Sequence, residues 1–268
     1  MRAFILAFAL TLTTASQGQA KNVCTLLLDA ASDEILLEEG DCTSRVTPAS
    51  TFKIPLAVMA YDAGLLKDAS TPVMAFRTGD PDWGGANWTR DTGPASWMRF
   101  SVLWYSQRIT ARMGAKTLTR YAQAFGYGNA DFSGDTGYNN GLERAWIASS
   151  LKISPHEQAA FLRALALDAL PVTSQAMKLT RNIVAREQVA GWTIHGKTGA
   201  AYPRRADRSF EYARGWGWYV GWATKGNRTL VFVKLTQASQ RTTGSPGNLT
   251  REAFLRDWPA LAKSLARP

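Results

Sequence analysis

The chain has 268 residues, 46% of them hydrophobic and 19% charged, with two cysteines, two histidines and a net charge of +10. That length and apolar share support a substantial core and exclude a disordered chain, and so few histidines and cysteines exclude a clustered metal site. The positive charge suits anionic substrates, but no basic helix or finger motif accompanies it, so nucleic acid is not an expected partner. In chain order, "MRAFILAFALTLTTASQGQA" comes first. Arg2, an apolar run too short to span a bilayer, and small residues ending at Ala20 predict a secretory signal over residues 1–20. Residues 21–268 then form a single domain, soluble and free of the membrane after cleavage.

"VCTLLLDAASDEILLEEGDC" predicts two strands around a turn near Ser32. Paired residue numbers in an antiparallel hairpin sum to a constant, so a centre near residue 33 brings Cys24 opposite Cys42 within a residue. With export to an oxidising compartment, this predicts a disulfide, two free thiols being the alternative. A helix follows from near Ser50 to near Gly64. Residues 65–100 are irregular and rich in Pro, Gly, Asp and Trp. "SVLWYSQRITARMG" predicts a helix with Val102, Tyr105, Ile109 and Met113 on one side. Ser154, Pro155 and Glu157 form a capping box for the next helix, and another fits residues 174–186.

The last third changes period. "GWTIHGKTGAAY" alternates as a strand, and "GWGWYVGWATKGNRTLVFVKLTQ" is two strands joined at Lys225-Gly226-Asn227. "TREAFLRDWPALAKSLA" is an amphipathic helix that Pro259 interrupts. Strands at both ends with helices between predict an α+β fold. One antiparallel sheet is built from both chain ends, flanked by terminal helices, with a helical subdomain inserted over about residues 65–185.

Ser50 and Lys53 lie three apart, on one helix face. At a helix start, free backbone N–H groups favour developing negative charge, as an oxyanion site requires. A lysine snorkelling from a helix edge is the other reading of Lys53. Ser149 and Lys152 repeat the spacing in a connection and read as surface. Lys197, Thr198 and Gly199 offer a cation, a hydroxyl and bare backbone for a carboxylate-bearing substrate, or else a solvated strand end. Ser101 is either a helix N-cap or a second hydroxyl on a proton path from Lys53 to a leaving group. His156 lies in an exposed helical turn and His195 one pleat from Lys197, giving little support to a Ser–His–Asp triad.

Ser-x-x-Lys, a Ser-led helix and Lys-Thr-Gly, in that order, resemble the penicillin-recognising serine enzymes. The resemblance sharpens to the class D β-lactamases, the oxacillinases. "PASTFKIP" is similar to that family's nucleophile segment, Tyr127-Gly128-Asn129 to its Tyr-Gly-Asn element, and "WIASSLKISPHEQ" to its tryptophan-bearing loop, with Trp146 at the tryptophan. Trp218 and Gly221 match Trp-x-x-Gly, and the likeness runs from about residue 23 to the C-terminus. One departure is Leu103, where the family's Ser-x-Val carries valine.

The resemblance implies a periplasmic β-lactam hydrolase, monomeric or homodimeric, that confers antibiotic resistance. It implies Ser50 as nucleophile and Lys53 as N6-carboxylysine, made from carbon dioxide and serving as general base, with no metal. Ser101 joins them in catalysis. The backbone N–H groups of Ser50 and Ala200 stabilise the oxyanion, and Lys197, Thr198 and, on a looser match, Arg251 bind substrate. Trp146 holds the carbamate. Glu143 is the nearest residue for a glutamate base. A penicillin-binding transpeptidase and a β-lactam receptor domain are the rival readings.

Overall fold

The computed structural model describes residues 20–265, so the signal segment lies outside the described residues except for Ala20. Six strands form one antiparallel sheet: β1 Lys21–Asp29, β2 Ile35–Gly40, β3 Arg186–Val189, β4 Trp192–Ala201, β5 Trp216–Lys225 and β6 Arg228–Gln237. Their spatial order is β2-β1-β6-β5-β4-β3. The β1–β6 pairing therefore joins the two ends of the chain, as expected. The helices α1 Lys53–Asp62, α2 Pro94–Phe100, α3 Leu103–Met113, α4 Ala115–Ala124, α5 Gly141–Arg144, α6 Pro155–Ala166 and α7 Ser174–Ile183 fall between β2 and β3, and α8 Pro246–Ser264 follows β6.

Strand alternation sorts the apolar residues onto two faces. Cys24, Leu26 and Leu28 of β1, Trp218, Val220 and Trp222 of β5, and Val231, Val233 and Leu235 of β6 join the core shared with α1 and α6. Leu27, Tyr219, Leu230 and Phe232 point the other way, onto Phe254, Trp258 and Ala262 of α8. Pro259 does not interrupt this helix, which starts earlier than the sequence suggests, with Pro246 in its first turn. The fully buried Trp258 packs edge-on against Trp192, and that burial outweighs the backbone hydrogen bond the proline cannot make.

Cys24 and Cys42 form a disulfide with Cα atoms 5.1 Å apart. The register differs from expectation: Cys24 pairs with Gly40, and Cys42 reaches it from two residues beyond the strand. The turn is centred near residue 32 rather than 33, which accounts for the slip, and a bulge between Leu27 and Leu28 recovers one residue of it. The bridge ties the outer strand's end to β1. Replacing both cysteines with alanine is expected to lower stability by about 3 kcal/mol, measured by urea unfolding.

The capping box forms as predicted, Ser154 accepting from the Glu157 N–H while the Glu157 carboxylate accepts from Ser154. The β5–β6 hairpin closes through Gly226 and Asn227, with Lys225 opposite Arg228 and Gly226 at φ +57°.

Candidate active site

The segment expected to be one helix from Ser50 begins instead as a 3₁₀ turn, Ala49–Phe52, before α1 starts at Lys53. Ala49 holds φ +50°, a left-handed conformation that costs a non-glycine residue about 1 kcal/mol. Ser101 (φ +57°) and Ala148 (φ +50°) share it. These three strained residues sit at or beside Ser50, Ser101 and Trp146, where strain sets side-chain direction.

Lys53 is buried, 1% exposed, and its Nζ donates to Ser50 Oγ at 3.3 Å. It does not snorkel. Desolvation, and then repulsion from Lys197, push its pKa well below the ordinary lysine value. Lys197 is 4% exposed, and burial brings its pKa down to about 7. Its Nζ donates to Ser101 Oγ and to the Thr198 carbonyl. Among the described residues neither lysine forms an ion pair with a carboxylate. Two amines without a negative partner, between two serine hydroxyls, are costly to bury charged.

Ser101 is not a helix N-cap. It is the left-handed residue that ends α2, and Val102 precedes α3. That kink carries its hydroxyl to Lys197. On β4, Gly199 faces the nucleophile turn, where a Cβ would lie 2.9 Å from the Pro48 carbonyl oxygen and 3.0 Å from Thr51 Cγ2. Only glycine lets β4 approach so closely.

A cavity of about 430 Å³ opens over these groups, lined among others by Ser50, Ser101, Leu103, Trp146, Thr198 and Ala200. Trp146 stacks on Phe52, with ring centroids 5.3 Å apart. Thr47 positions its loop: Thr47 Oγ1 donates to the Trp146 carbonyl at 2.8 Å and accepts from the Ala148 N–H at 3.0 Å. Trp218 Nε1 donates to the Thr47 carbonyl at 2.9 Å. Trp218 therefore braces the segment before Ser50 and does not line the cavity. Gly221 lies against β4, where a Cβ would sit 1.9 Å from the His195 carbonyl oxygen.

The Tyr127–Asn129 element also lies behind the site. Tyr127 donates to Gln158, whose amide donates to Thr51 Oγ1 at 2.7 Å. Asn129 bonds the Ser150 carbonyl and the Lys152 N–H, fixing the loop that carries Trp146.

Other sequence candidates fall outside the cavity. Ser149 donates to Asp135 and Lys152 is exposed. His156 pairs with Glu38, and His195 stacks on Trp222. Glu143 borders a different cavity, with Asp80 and Trp104. Arg251 stands beside Lys197 and Thr198. It lines an adjoining cavity with Lys197 and Thr198, not the one holding Ser50, and its guanidinium is bound by Glu187 of β3. This pair is not legible in the sequence, because the four residues of β3 are too few to carry a strand pattern. Trp83, Trp88, Arg99, Ser245 and Asn248 line the cavity unforeseen. The first three lie within residues 65–100, expected to be irregular, where Arg99 in fact belongs to the short helix α2, and the last two begin α8 earlier than its apolar pattern does. No group of three or more His, Cys, Asp or Glu residues among the described residues could hold a metal ion.

A serine and a buried lysine at one helix start, facing a Lys-Thr-Gly strand on an antiparallel sheet, define the class of penicillin-recognising serine enzymes. Residues 23–256 match the penicillin binding protein transpeptidase domain family. The chain is 38% identical over 242 residues to the β-lactamase OXA-9 of Klebsiella pneumoniae, covering 89% of this chain and 87% of that protein. It is 37% identical over 214 residues to the β-lactamase OXA-1 of Escherichia coli, covering 78% and 74%. Its fold overlays the crystal structure of the class D β-lactamase OXA-427 with a TM-score of 0.83 at 43% identity, over 91% of this chain and 99% of that one. The chain belongs to the class D β-lactamases.

Proposed function

We propose that this β-lactamase hydrolyses penicillins and related β-lactams through an acyl-enzyme on Ser50, with Lys53 as the site of the general base. The observation that carries the reading is the Lys53 amine: buried, without an acid partner, and 3.3 Å from Ser50 Oγ. A neutral amine is the form that combines with carbon dioxide. Carboxylation of Lys53 would supply a base at Ser50, and the environment fits it: a desolvated amine, with Lys197 as a nearby cation and Leu103 and Trp146 on the wall of the Ser50 cavity. Ser50 Oγ gives up its proton towards Lys53 and bonds to the lactam carbonyl carbon. The carbonyl oxygen gathers charge near the N–H groups of Ser50 and Ala200. The ring C–N bond breaks, and the nitrogen takes a proton along the Ser101–Lys197 hydrogen bond. Water then hydrolyses the ester and frees Ser50. Lys197 and Thr198 receive the substrate carboxylate. Export to the periplasm belongs to the same reading.

Nitrocefin separates this reading from its nearest rival. Many product molecules per protein support a hydrolase, whereas a single stoichiometric burst marks a penicillin-binding transpeptidase and defeats the proposal. Trp146→Ala is expected to accumulate acyl-enzyme under turnover, seen as a larger adduct fraction by quenched intact-mass spectrometry. The truncation removes an indole from the Ser50 cavity wall and lets the Lys53 surroundings wet. Arg251→Ala is expected to raise KM for penicillin by about threefold with kcat little changed. Glu187 already occupies the guanidinium and limits what Arg251 can give to substrate. Steady-state kinetics on the purified variant checks the split.

A further inference from the structure

We propose that Glu187 is a positioning residue that weakens substrate binding: its carboxylate holds the Arg251 guanidinium and competes for it with the carboxylate of the β-lactam; the assignment rests on β-lactam acylation at Ser50. Glu187 sits on β3, the edge strand beside the Lys197–Gly199 strand, and bonds Arg251 of α8. Neither element supplies a group to the reaction itself.

The register places the two side chains beside the site. Glu187 lies opposite Ile194 across β3 and β4, and residues directly opposite point to one face of a sheet. Alternation along β4 puts Gly196 and Thr198 on that same face. Helix α8 begins hard against β4, where a Cβ on Gly247 would lie 2.5 Å from the Gly199 carbonyl oxygen. Arg251 follows four residues later, about 6 Å along the helix and on the same side of it. It lines a cavity of about 640 Å³ together with Glu187, Gly196, Lys197 and Thr198. Thr198, Arg99 and Asn248 line the Ser50 cavity as well, so the two spaces join there.

The guanidinium is fully engaged. Arg251 Nε donates to Glu187 Oε1 at 2.9 Å, and its Nη2 donates to the other carboxylate oxygen. That fork is the geometry in which an arginine takes any carboxylate, so it cannot serve Glu187 and a substrate at once. The side chains are 36% and 33% exposed, and an ion pair so close to water is weak and exchanges readily. Glu187 nevertheless has the advantage of being tethered, which gives it a high effective concentration against a free ligand. Beneath the pair lies Tyr219, whose hydroxyl oxygen would be 2.4 Å from a Cβ on Gly196. Burial first, and then the charge of Glu187, push the Tyr219 phenol well above its ordinary pKa. It stays neutral and leaves Glu187 as the anion that holds Arg251.

The test is steady-state kinetics with benzylpenicillin. Glu187→Gln keeps the side chain's shape and removes its charge. It is expected to lower KM about fivefold and leave kcat within about twofold, because a carboxylate contact far from the reacting bond serves ground and transition states alike. Glu187→Ala, which removes the acceptors altogether, is expected to behave in the same way. In an Arg251→Ala background, Glu187→Gln is expected to shift KM by less than about twofold. Glu252→Gln removes another acid from the same cavity and is expected to leave KM unchanged. An unchanged or raised KM in both Glu187 variants, with turnover intact, would overturn the competition and leave hydrolysis at Ser50 standing. A fivefold fall that persists without Arg251, or that Glu252→Gln reproduces, would overturn it in favour of direct repulsion between acid and substrate. Failure of the unmutated protein to turn over benzylpenicillin would overturn the proposed function and the role of Glu187 with it.

Discussion

A slowly hydrolysed penicillin is expected to add its own mass to the unmutated protein, with the adduct on the Ser50 peptide, and to leave Ser50→Ala unmodified. Turnover in that variant is expected to fall by at least about 10⁴-fold, the scale on which removing a covalent nucleophile acts. The reason is local. Ser50 lies in the 3₁₀ turn that opens α1, beside a strained Ala49, with Lys53 Nζ on its hydroxyl. Ser149, which repeats the spacing to a lysine, has its hydroxyl bound to Asp135 at 2.7 Å and is the natural control. Ser149→Ala is expected to acylate normally. An adduct that survives Ser50→Ala and disappears in Ser149→Ala would reverse the assignment.

Lys53→Ala is expected to lose both acylation and deacylation, each by about 10³-fold, because one base serves the attack by Ser50 and the later attack by water. A residue used only for acylation would slow adduct formation without prolonging the adduct. Rapid-quench mass spectrometry measures the two rates separately. A folding defect is excluded with Lys53→Met. Burying an amine with no acid partner costs stability, so an apolar chain of similar length is expected to melt at or above the unmutated protein in bicarbonate-free buffer while remaining inactive.

Both results bear on how much was written in the sequence. The order of hairpin, helices and terminal strands gave the antiparallel sheet, because each hairpin carries its pairing in its own turn and alternation. The Ser154 capping box is a local pattern and formed as read. The order of Ser50, Lys53, Ser101 and Lys197 was legible as motif. The Ser50–Lys53 contact followed from their spacing, but the meeting of Ser101 with Lys197 did not, since Ser101 is itself a left-handed residue that no periodicity marks. The ion pair of Arg251 was hidden for the same kind of reason. Its partner Glu187 lies on a short edge strand with little apolar pattern, and only the fold brings the two together. Pro259 shows the opposite failure, where a local rule was outweighed by the packing of Trp258 against the sheet. Trp218 and Tyr127 were recognised by motif, but as braces behind Thr47 and Thr51 they are explained only by their hydrogen bonds.

The most direct measurement is carbon-13 NMR of the protein equilibrated with labelled bicarbonate. One carbamate resonance is expected in the unmutated enzyme, absent from Lys53→Ala, reduced together with activity after acid exposure and restored with it when bicarbonate returns. A fully active enzyme with no carbamate resonance would contradict the assignment and leave Lys53 acting as a plain amine.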